Sequence, residues 1–220
     1  MAKAKREAKE EKQRRAKLIV AGLKKRYRGA TTALHYATAH QLLVATVLAA
    51  QCTDKKVNEI TPRLFEKYPT PADFARAKRA VLEQEIRQAG FFRNKAKSII
   101  ALSQDIVANF GGEVPETLEE LTGLHGVGRK TANVVLAAVF GKPAVIVDTH
   151  MIRLANRLGL TAKKDPVKIE FDLMEVLPRA QWGAFSFMIT LHGRQVCKAR
   201  RPLCNVCPIE KLCPSSTLVS

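Results

Sequence analysis

Four of the five cysteines in this chain lie in one short segment and limit how that segment can fold. The segment CKARRPLCNVCPIEKLC holds Cys197, Cys204, Cys207 and Cys213 among few apolar residues, so side-chain burial alone gives it little stability. Four thiolates at these spacings can surround one metal centre, and Cys204 with Cys207 forms the tight pair found in several kinds of metal site. The usual zinc signature has two such pairs and this segment has one, so a cubane iron–sulfur cluster fits the spacing at least as well as zinc.

Two disulfides, or four unpaired thiols, are the alternatives to a metal centre, and disulfides need an oxidising compartment. The N-terminal segment MAKAKREAKEEKQRRAK carries charge where a secretory signal has an apolar core, and no later segment is apolar for long enough to span a bilayer. We therefore expect a cytoplasmic protein with reduced thiols. Cys52, in the apolar run LLVATVLAAQC, is expected to be a buried apolar residue rather than a fifth ligand.

The net charge of +17 indicates a polyanionic partner, and nucleic acid is the commonest one for an intracellular protein. The first 28 residues hold 12 Lys or Arg and 3 Glu, so +8 of that charge belongs to the remainder of the chain. Aromatic residues make up only 6%, which disfavours a single-strand binder built on stacking platforms. The basic N-terminal segment has too few apolar residues to anchor it to a membrane. Binding to the phosphates of duplex DNA fits these properties best.

Nearly every segment has apolar residues at helical spacing and ends at Gly or Pro, which predicts an all-α protein. Residues 39–52 are apolar on all sides and are expected to form a central buried helix, and Thr53 or Asp54 can cap the helix that follows. Only AVIV at 144–147 has the composition of a strand. Further helices are predicted near residues 80–88, 94–109, 117–122, 129–140, 149–158, 166–176 and 181–194.

The segment TLEELTGLHGVGRKTANVVLAAV predicts two helices joined by a tight turn that contains Gly126 and Gly128. Glycine lets such a turn adopt positive φ and approach a phosphate, which the N–H groups at Gly128 and the helix N-terminus can bind. Lys130 lies in the first turn of the second helix, where the helix dipole disfavours a positive charge by about 0.3–1 kcal/mol. This field, partial burial and Arg129 would favour a neutral, nucleophilic amine; a lysine that pairs with a phosphate is the alternative.

Asp148 follows an apolar run and precedes a helix in AVIVDTHMIRLANRLG, so it is an expected N-cap. Hydrogen bonds from the next turn would keep its carboxylate ionised, as a group that stabilises a developing cation requires. Asp148 alone indicates a structural cap, whereas Asp148 together with Lys130 predicts a catalytic pair.

Five motifs together resemble the endonuclease III family, which belongs to the helix-hairpin-helix superfamily of base-excision DNA glycosylases. They are LLVATVLAAQCTDKKVN, LHGVGRKTANVV, VDTHMIRLANRLG, LHGRQVC and the four-cysteine segment, and they run in family order from about residue 30 to residue 214. The resemblance implies a two-lobed fold, with a six-helix barrel over residues 31–142 that contains the hairpin, and an iron–sulfur lobe made of 18–30 and 143–220. Residues 1–17 are expected to be a basic tail with a composition typical of disordered segments. The cluster implied is [4Fe–4S], on Cys197, Cys204, Cys207 and Cys213.

The family's nucleophilic lysine falls on Lys130 and its essential aspartate on Asp148. The resemblance therefore implies a bifunctional, monomeric enzyme that removes an oxidised pyrimidine from damaged duplex DNA and cuts the strand at the abasic site by β-elimination. The nucleotide leaves the base stack, Lys130 attacks C1′ as the base departs, and Asp148 stabilises the positive charge on the sugar. The alternatives are a monofunctional mismatch glycosylase of the same fold, whose branch lacks this lysine, and a DNA-binding iron–sulfur module without chemistry.

In the family, two side chains fill the space that the flipped nucleotide leaves in the duplex. One is a glutamine that corresponds to Gln51; the other is usually a leucine and falls here on Phe91, whose ring can change lesion or opposite-base preference. His125 stands where a proline is common, and is expected to be a surface or phosphate contact, with an ordinary turn residue as the alternative. The other expected DNA contacts are Gly126, Gly128, Arg129, Lys198, Arg200 and Arg201. Lys198, Arg200, Arg201 and Lys211 can also offset the negative charge of a cluster. Packed or hydrogen-bonded rather than catalytic roles are expected for His150, Trp182 and His192.

Overall fold

The computed structural model describes residues 7–218, and helices are the only regular secondary structure in that range, as the sequence predicted. None of these helices is both long enough and apolar enough to cross a bilayer. The α-helices are α1 (Lys9–Arg26), α2 (Ala39–Leu48), α3 (Asp54–Lys67), α4 (Pro71–Ala75), α5 (Arg79–Glu85), α6 (Phe92–Phe110), α7 (Leu118–Gly123), α8 (Arg129–Ala138), α9 (Thr149–Arg157), α10 (Pro166–Val176) and α11 (Trp182–Gln195). Short 3-10 turns lie at Arg87–Ala89, Arg179–Gln181, Cys204–Val206 and Glu210–Leu212.

The helices belong to two compact units. The central unit is Thr32–Gly141 and contains α2 to α8. The terminal unit consists of the described residues up to Thr31 and those from Lys142 onward, and contains α1 and α9 to α11. The identification of these units as a six-helix barrel and an iron–sulfur lobe stays a prediction.

Helix α2 forms the core of the central unit because it is apolar on every side. Leu42, Leu43 and Leu48 are fully buried, and α3, α6 and α8 pack against the helix. Thr53 caps α3 by accepting a hydrogen bond from the Lys56 N–H, which is one of the two predicted caps. The buried central helix is confirmed, but it ends at Leu48, before the predicted limit at residue 52.

The predicted strand at residues 144–147 is wrong. These residues are buried without a helix or a strand ladder, and the Ile146 N–H donates to the Ser186 hydroxyl oxygen at 3.0 Å on α11. A short apolar run looks the same whether strands or helices bury it, so its composition could not distinguish the two cases.

The basic N-terminal segment is more ordered than its charge suggested. Residues 1–6 of the predicted tail lie outside the described residues, and the chain is helical from Lys9. Arg15 donates from Nη2 to the Glu7 carboxylate at 2.7 Å and from Nη1 to the Leu158 carbonyl at 2.6 Å. The charge concealed an apolar stripe at helical spacing, which is buried: Ala16, Ile19, Val20 and Leu23.

Candidate functional site

The turn between α7 and α8 contains two glycines with different roles. Gly126 is needed for the backbone conformation of the turn, whereas Gly128 keeps the start of α8 open to a ligand. Gly126 has a φ of 74°, and a Cβ there would lie 2.8 Å from the Cβ of Ser98 on α6. Gly128 has a φ of −87° and is the N-cap of α8, and a Cβ there would meet no atom within 4 Å. Gly126 therefore permits the turn and its close approach to α6, whereas Gly128 leaves the N–H groups that begin α8 uncovered.

His125 fastens this turn to α6. Its backbone N–H donates to Asp105 Oδ2 at 2.8 Å, and its Nδ1 lies 2.7 Å from the same oxygen. The imidazole is still 71% exposed, which agrees with the predicted surface position. Sequence reasoning missed Asp105, because nothing in the local sequence pairs it with a turn twenty residues further on.

Lys130 lies in the first turn of α8, as predicted, but its side chain is exposed and not partly buried as expected. No side chain caps α8, and its first turn contains no acidic residue. The first N–H groups of the helix, with the positive end of its dipole, therefore form a surface that favours an anion. Lys130 carries a primary amine on this surface, and an amine in its neutral form can attack an electrophilic carbon.

Three predicted DNA contacts, Gln51, Phe91 and Gly126, line one open cavity of about 310 Å³ in the central unit. Gln51 has a φ of 55° and Phe91 a φ of 47°, and they are the only non-glycine residues in the described range with positive φ. Each such conformation costs about 1–3 kcal/mol and persists only where the surrounding structure fixes it. Phe91 is also 63% exposed, so its ring is available for contact. Thr46, Val47, Ala50, Asn94, Lys95, Ser98 and Thr131 complete the lining of this cavity.

Asp148 is the N-cap of α9, which confirms the predicted cap. Its Oδ1 accepts from the Met151 N–H at 2.7 Å, and its Oδ2 accepts from the Thr190 hydroxyl at 3.2 Å on α11. The two hydrogen bonds fix the orientation of a half-buried carboxylate, and sequence reasoning identified only the first. Asp148 belongs to the terminal unit and Lys130 to the central unit, so the catalytic pair stays a prediction.

We call the segment 197–213 the thiol loop. Its four cysteines line one cavity in the terminal unit. None of the five cysteines is in a disulfide, so the disulfide alternative is not realised in this structure. No three His, Cys, Asp or Glu side chains between residues 7 and 218 are grouped as a site for a single metal ion. Cys52 lies in the central unit and is half-buried, not fully buried as predicted, because α2 ends before it.

Two side chains place nitrogen atoms beside the sulfurs of the thiol loop. Arg157 Nη1 lies 3.3 Å from Cys197 Sγ, and the same guanidinium donates to the carbonyl oxygens of Lys198 at 2.8 Å and Ala199 at 2.6 Å. His192 Nε2 lies 3.5 Å from Cys207 Sγ, and its other ring nitrogen is 3.0 Å from the Tyr27 hydroxyl. Contacts of this kind orient and stabilise thiolate ligands.

The thiols differ in how readily they ionise. Burial raises the pKa of Cys207 and of Cys213, whereas a hydrogen bond from the Thr217 side chain lowers the pKa of Cys204. Thiols must lose their protons to bind a metal, so metal binding here releases protons. Four reduced thiols around one cavity, with nitrogen atoms beside two of the sulfurs, fit a thiolate-bound cluster.

The other predicted residues lie on the surface or in packed positions. His150 contacts Arg153, His192 is almost fully buried, and Trp182 donates to the Leu177 carbonyl, so all three are packed or hydrogen-bonded as expected. The four basic residues of the thiol loop are exposed, and they are Lys198, Arg200, Arg201 and Lys211.

Comparison with known proteins identifies the family. The model of the HhH-GPD superfamily of base excision DNA repair proteins matches residues 44–179. Endonuclease III of Synechocystis sp. is 54% identical over 206 residues, which span 93% of this chain and 94% of that protein. Endonuclease III of Bacillus subtilis is 46% identical over 174 residues, which span 79% and 80% of the two proteins.

A solved structure adds to these similarities. It is a trapped endonuclease III–DNA covalent intermediate in an estranged-adenine complex, 40% identical to this chain, with a TM-score of 0.87 over 93% of this chain and 96% of the other. Sequence and structure agree over nearly the whole length, so this chain belongs to the HhH-GPD superfamily of base excision DNA repair proteins and, within it, to the endonuclease III family.

Proposed function

We propose that this chain is a bifunctional DNA glycosylase and AP lyase, which removes oxidised pyrimidines from duplex DNA and cuts the strand by β-elimination. The observation that carries the proposal is an exposed Lys130 in the first turn of a helix whose N-terminus is uncapped. The relative trapped in a covalent intermediate with DNA supports the same chemistry. A monofunctional mismatch glycosylase or a non-catalytic binding module would not need this amine.

In the proposed reaction, the neutral amine of Lys130 attacks C1′ of a flipped nucleotide while the bond to the damaged base breaks and the base takes its electron pair. Asp148 stabilises the positive charge that develops on the sugar, and its carboxylate can take a proton from the attacking amine. The sugar ring then opens to a Schiff base on Lys130. Loss of the C2′ proton sends an electron pair toward C3′, the 3′ phosphate leaves, and hydrolysis of the imine frees the lysine.

The proposed partner is double-stranded DNA that contains damaged bases or abasic sites, bound by a monomer. The backbone at Gly128 and Arg129, where α8 begins, binds a phosphate, and Gln51 and Phe91 fill the space that the flipped nucleotide leaves. Lys198, Arg200 and Arg201 bind further phosphates without reading sequence. Because this substrate is chromosomal DNA, the proposed location is the cytoplasm, at the nucleoid.

We further propose that the four thiols hold a [4Fe–4S] cluster through Cys197, Cys204, Cys207 and Cys213. Bound there, the cluster supplies structural cross-links between parts of a loop that has few apolar residues of its own. With its four cysteines fixed in this way, the loop holds its exposed basic side chains in a defined arrangement. The reaction proposed for Lys130 and Asp148 has no redox step.

Borohydride trapping tests the proposed function. A duplex with one abasic site, or one oxidised pyrimidine, should become covalently attached to the wild-type chain, because borohydride reduces the Schiff base to a stable amine. Lys130→Ala should abolish attachment, and Asp148→Asn should slow it by about a hundredfold or more. Lys97→Ala, which removes an exposed lysine from α6, is the matched control and should trap like the wild type. Base release without trapping would favour the monofunctional alternative, and lesion binding without either would favour the binding module.

A further inference from the structure

Lys95 is a buried lysine that contacts the ends of two separate elements of the central unit. It lies in the first turn of α6 and is 5% exposed. Its Nζ donates to the carbonyl oxygen of Leu48 at 2.7 Å and to that of Ala89 at 2.8 Å. Leu48 is the last residue of α2, and Ala89 is the last residue of the 3-10 turn that precedes α6.

Each of these carbonyls lies two or three residues before one of the two residues with positive φ. Gln51 comes three residues after Leu48, and Phe91 comes two residues after Ala89. Both have positive φ, and both line the open cavity together with Lys95. One ammonium group therefore fixes the start of both segments, and it does so through backbone atoms, whose positions do not depend on the side chains at 48 and 89.

A packing role alone does not explain a lysine here. Burial lowers the pKa of Lys95, with Cys52 acting in the opposite direction, so burying a charged amine here has a cost. An apolar side chain of similar length would fill the same volume without that cost. Only a donor can bind the carbonyl oxygens that α2 and the 3-10 turn leave unpaired, and a cation is favoured at the C-terminal end of α2.

We propose that Lys95 is a positioning residue that sets the two segments carrying Gln51 and Phe91 in the conformation required to enter the duplex. This inference rests on the proposed function, since it concerns how the chain fills the space beside a flipped nucleotide. Strained backbone persists only where the surroundings fix it, and Lys95 supplies a shared contact for both segments. The two side chains then insert together, without a separate ordering cost for each.

The test compares trapping on duplex and single-stranded DNA that carry the same abasic site, because only the duplex has a base stack to fill. Lys95→Met keeps the length and volume of the side chain and removes the donors. We expect this variant to trap the duplex about ten- to a hundredfold more slowly than the wild type, because displacement of a positioned group by about an ångström can have this effect. On the single strand, its rate of trapping should be within about threefold of the wild-type rate. Lys97→Met, two positions along α6 and exposed, is the control and should leave both rates unchanged.

A double-mutant cycle shows whether Lys95 acts through Phe91. Phe91→Ala should slow duplex trapping, and Lys95→Met should add a smaller loss in that background than in the wild type, because one of the two residues that Lys95 positions is already gone. Equal losses on duplex and single strand, or fully additive losses with Phe91→Ala, would overturn the proposal. If Lys95→Met does not fold, Lys95→Gln carries the same comparison, because its amide nitrogen is uncharged and lies on a side chain one atom shorter. Failure of both variants to fold would mean a purely structural role. Absence of trapping by the wild type on either DNA would instead contradict the proposed function.

Discussion

Two glycines in the turn before α8 allow the stability of the hairpin to be separated from its access to DNA. Gly126→Ala should lower the free energy of unfolding by about 2–4 kcal/mol, because alanine is strained at positive φ and its Cβ would displace Ser98. Gly128→Ala should change that free energy by less than about 1 kcal/mol, since its φ is ordinary and the space beside it is open.

Denaturant unfolding and duplex binding of the two variants check this separation. Gly128→Ala should weaken duplex affinity although it leaves stability nearly intact, because its methyl group would stand at the N–H groups proposed to bind a phosphate. Equal stability losses for the two variants would contradict the assignment of Gly126 to structure and Gly128 to access.

Buried His40 predicts a loss of stability in mild acid. Its Nε2 lies 2.9 Å from the Ser103 oxygen, which donates its own proton to the Ile99 carbonyl, so Nε2 carries a proton. Burial lowers the pKa of His40 from 6.5 to about 4. Between these two pH values the unfolded chain binds a proton on His40 that the folded chain does not. The free energy of unfolding is therefore unaffected by protonation of His40 above pH 6.5 and falls as the pH is lowered toward 4.

The predicted loss is about 2 kcal/mol by pH 5, measured as the free energy of unfolding relative to pH 7.5. His40→Gln keeps a donor near Ser103 but does not titrate. Between pH 7.5 and pH 5, the variant should therefore lose about 2 kcal/mol less of its free energy of unfolding than the wild type does. The same fall in both proteins would exclude His40 as the source.

Local sequence identifies a residue whose role depends on its place in one helix, and it does not identify that residue's distant partners. The positions of Lys130 and Asp148 could be predicted because each stands at the start of a helix that its own neighbours predict. Thr190, which binds Asp148 from another helix, has no local signal. Lys95 lies in the polar run FRNKAKS, which is typical of an exposed helix start, and only the folded chain shows that it is buried.

Among the elements, the contacts that hold the thiol loop lead to a prediction about metal retention. Arg157 binds two carbonyl oxygens of the loop and lies beside Cys197 Sγ, so Arg157→Met removes all three contacts at once. We expect this variant to lose iron to a chelator about ten- to a hundredfold faster than the wild type. Arg28→Met, on an exposed arginine of the same unit, is the control.

Iron content and the visible absorption of the purified chain are the measurements, and neither depends on enzymatic activity. Equal rates of iron loss in the two arginine variants would show that Arg157 does not stabilise the loop. Retention of zinc rather than iron by the wild-type chain would contradict the cluster itself.

Helical periodicity gave most of the elements, and the errors have physical causes. The helix predicted over 39–52 runs too far because the apolar pattern continues past Leu48, where the chain turns toward the left-handed Gln51. The predicted strand at 144–147 failed because helices bury these residues. Helix α1 was not among the predicted helices, because many charged residues surround its narrow buried stripe. Each error concerns tertiary burial, which a local pattern does not contain.

The net charge of +17 on the full chain predicts a strong salt dependence of duplex binding. If Arg200 and Arg201 each bind a phosphate, reversing both charges should lower the slope of log affinity against log salt by about 1.8. Lys163→Glu with Lys164→Glu makes the same change in net charge at exposed positions of the same unit, and should leave the slope nearly unchanged. Equal changes in the two pairs would mean that net charge, and not contact by the thiol loop, determines binding.

The order of the motifs predicted the family and the all-α fold, because five separate segments agreed. The two units were harder to delimit from sequence, since no long linker marks the boundaries at Thr32 and Gly141. The open cavity could not be predicted as a site: its lining comes from the ends of α2, α6 and the hairpin turn, which only the fold brings together.

Lys130 is the proposed nucleophile, and its chemistry can be tested at the level of a single residue. Borohydride reduction of the wild-type chain on an abasic duplex, followed by proteolysis and mass spectrometry, locates the attached sugar directly. The modification should lie on Lys130 and be absent from every other lysine. Attachment to a different lysine, or to the N-terminal amine, with Lys130 unmodified, would contradict the account.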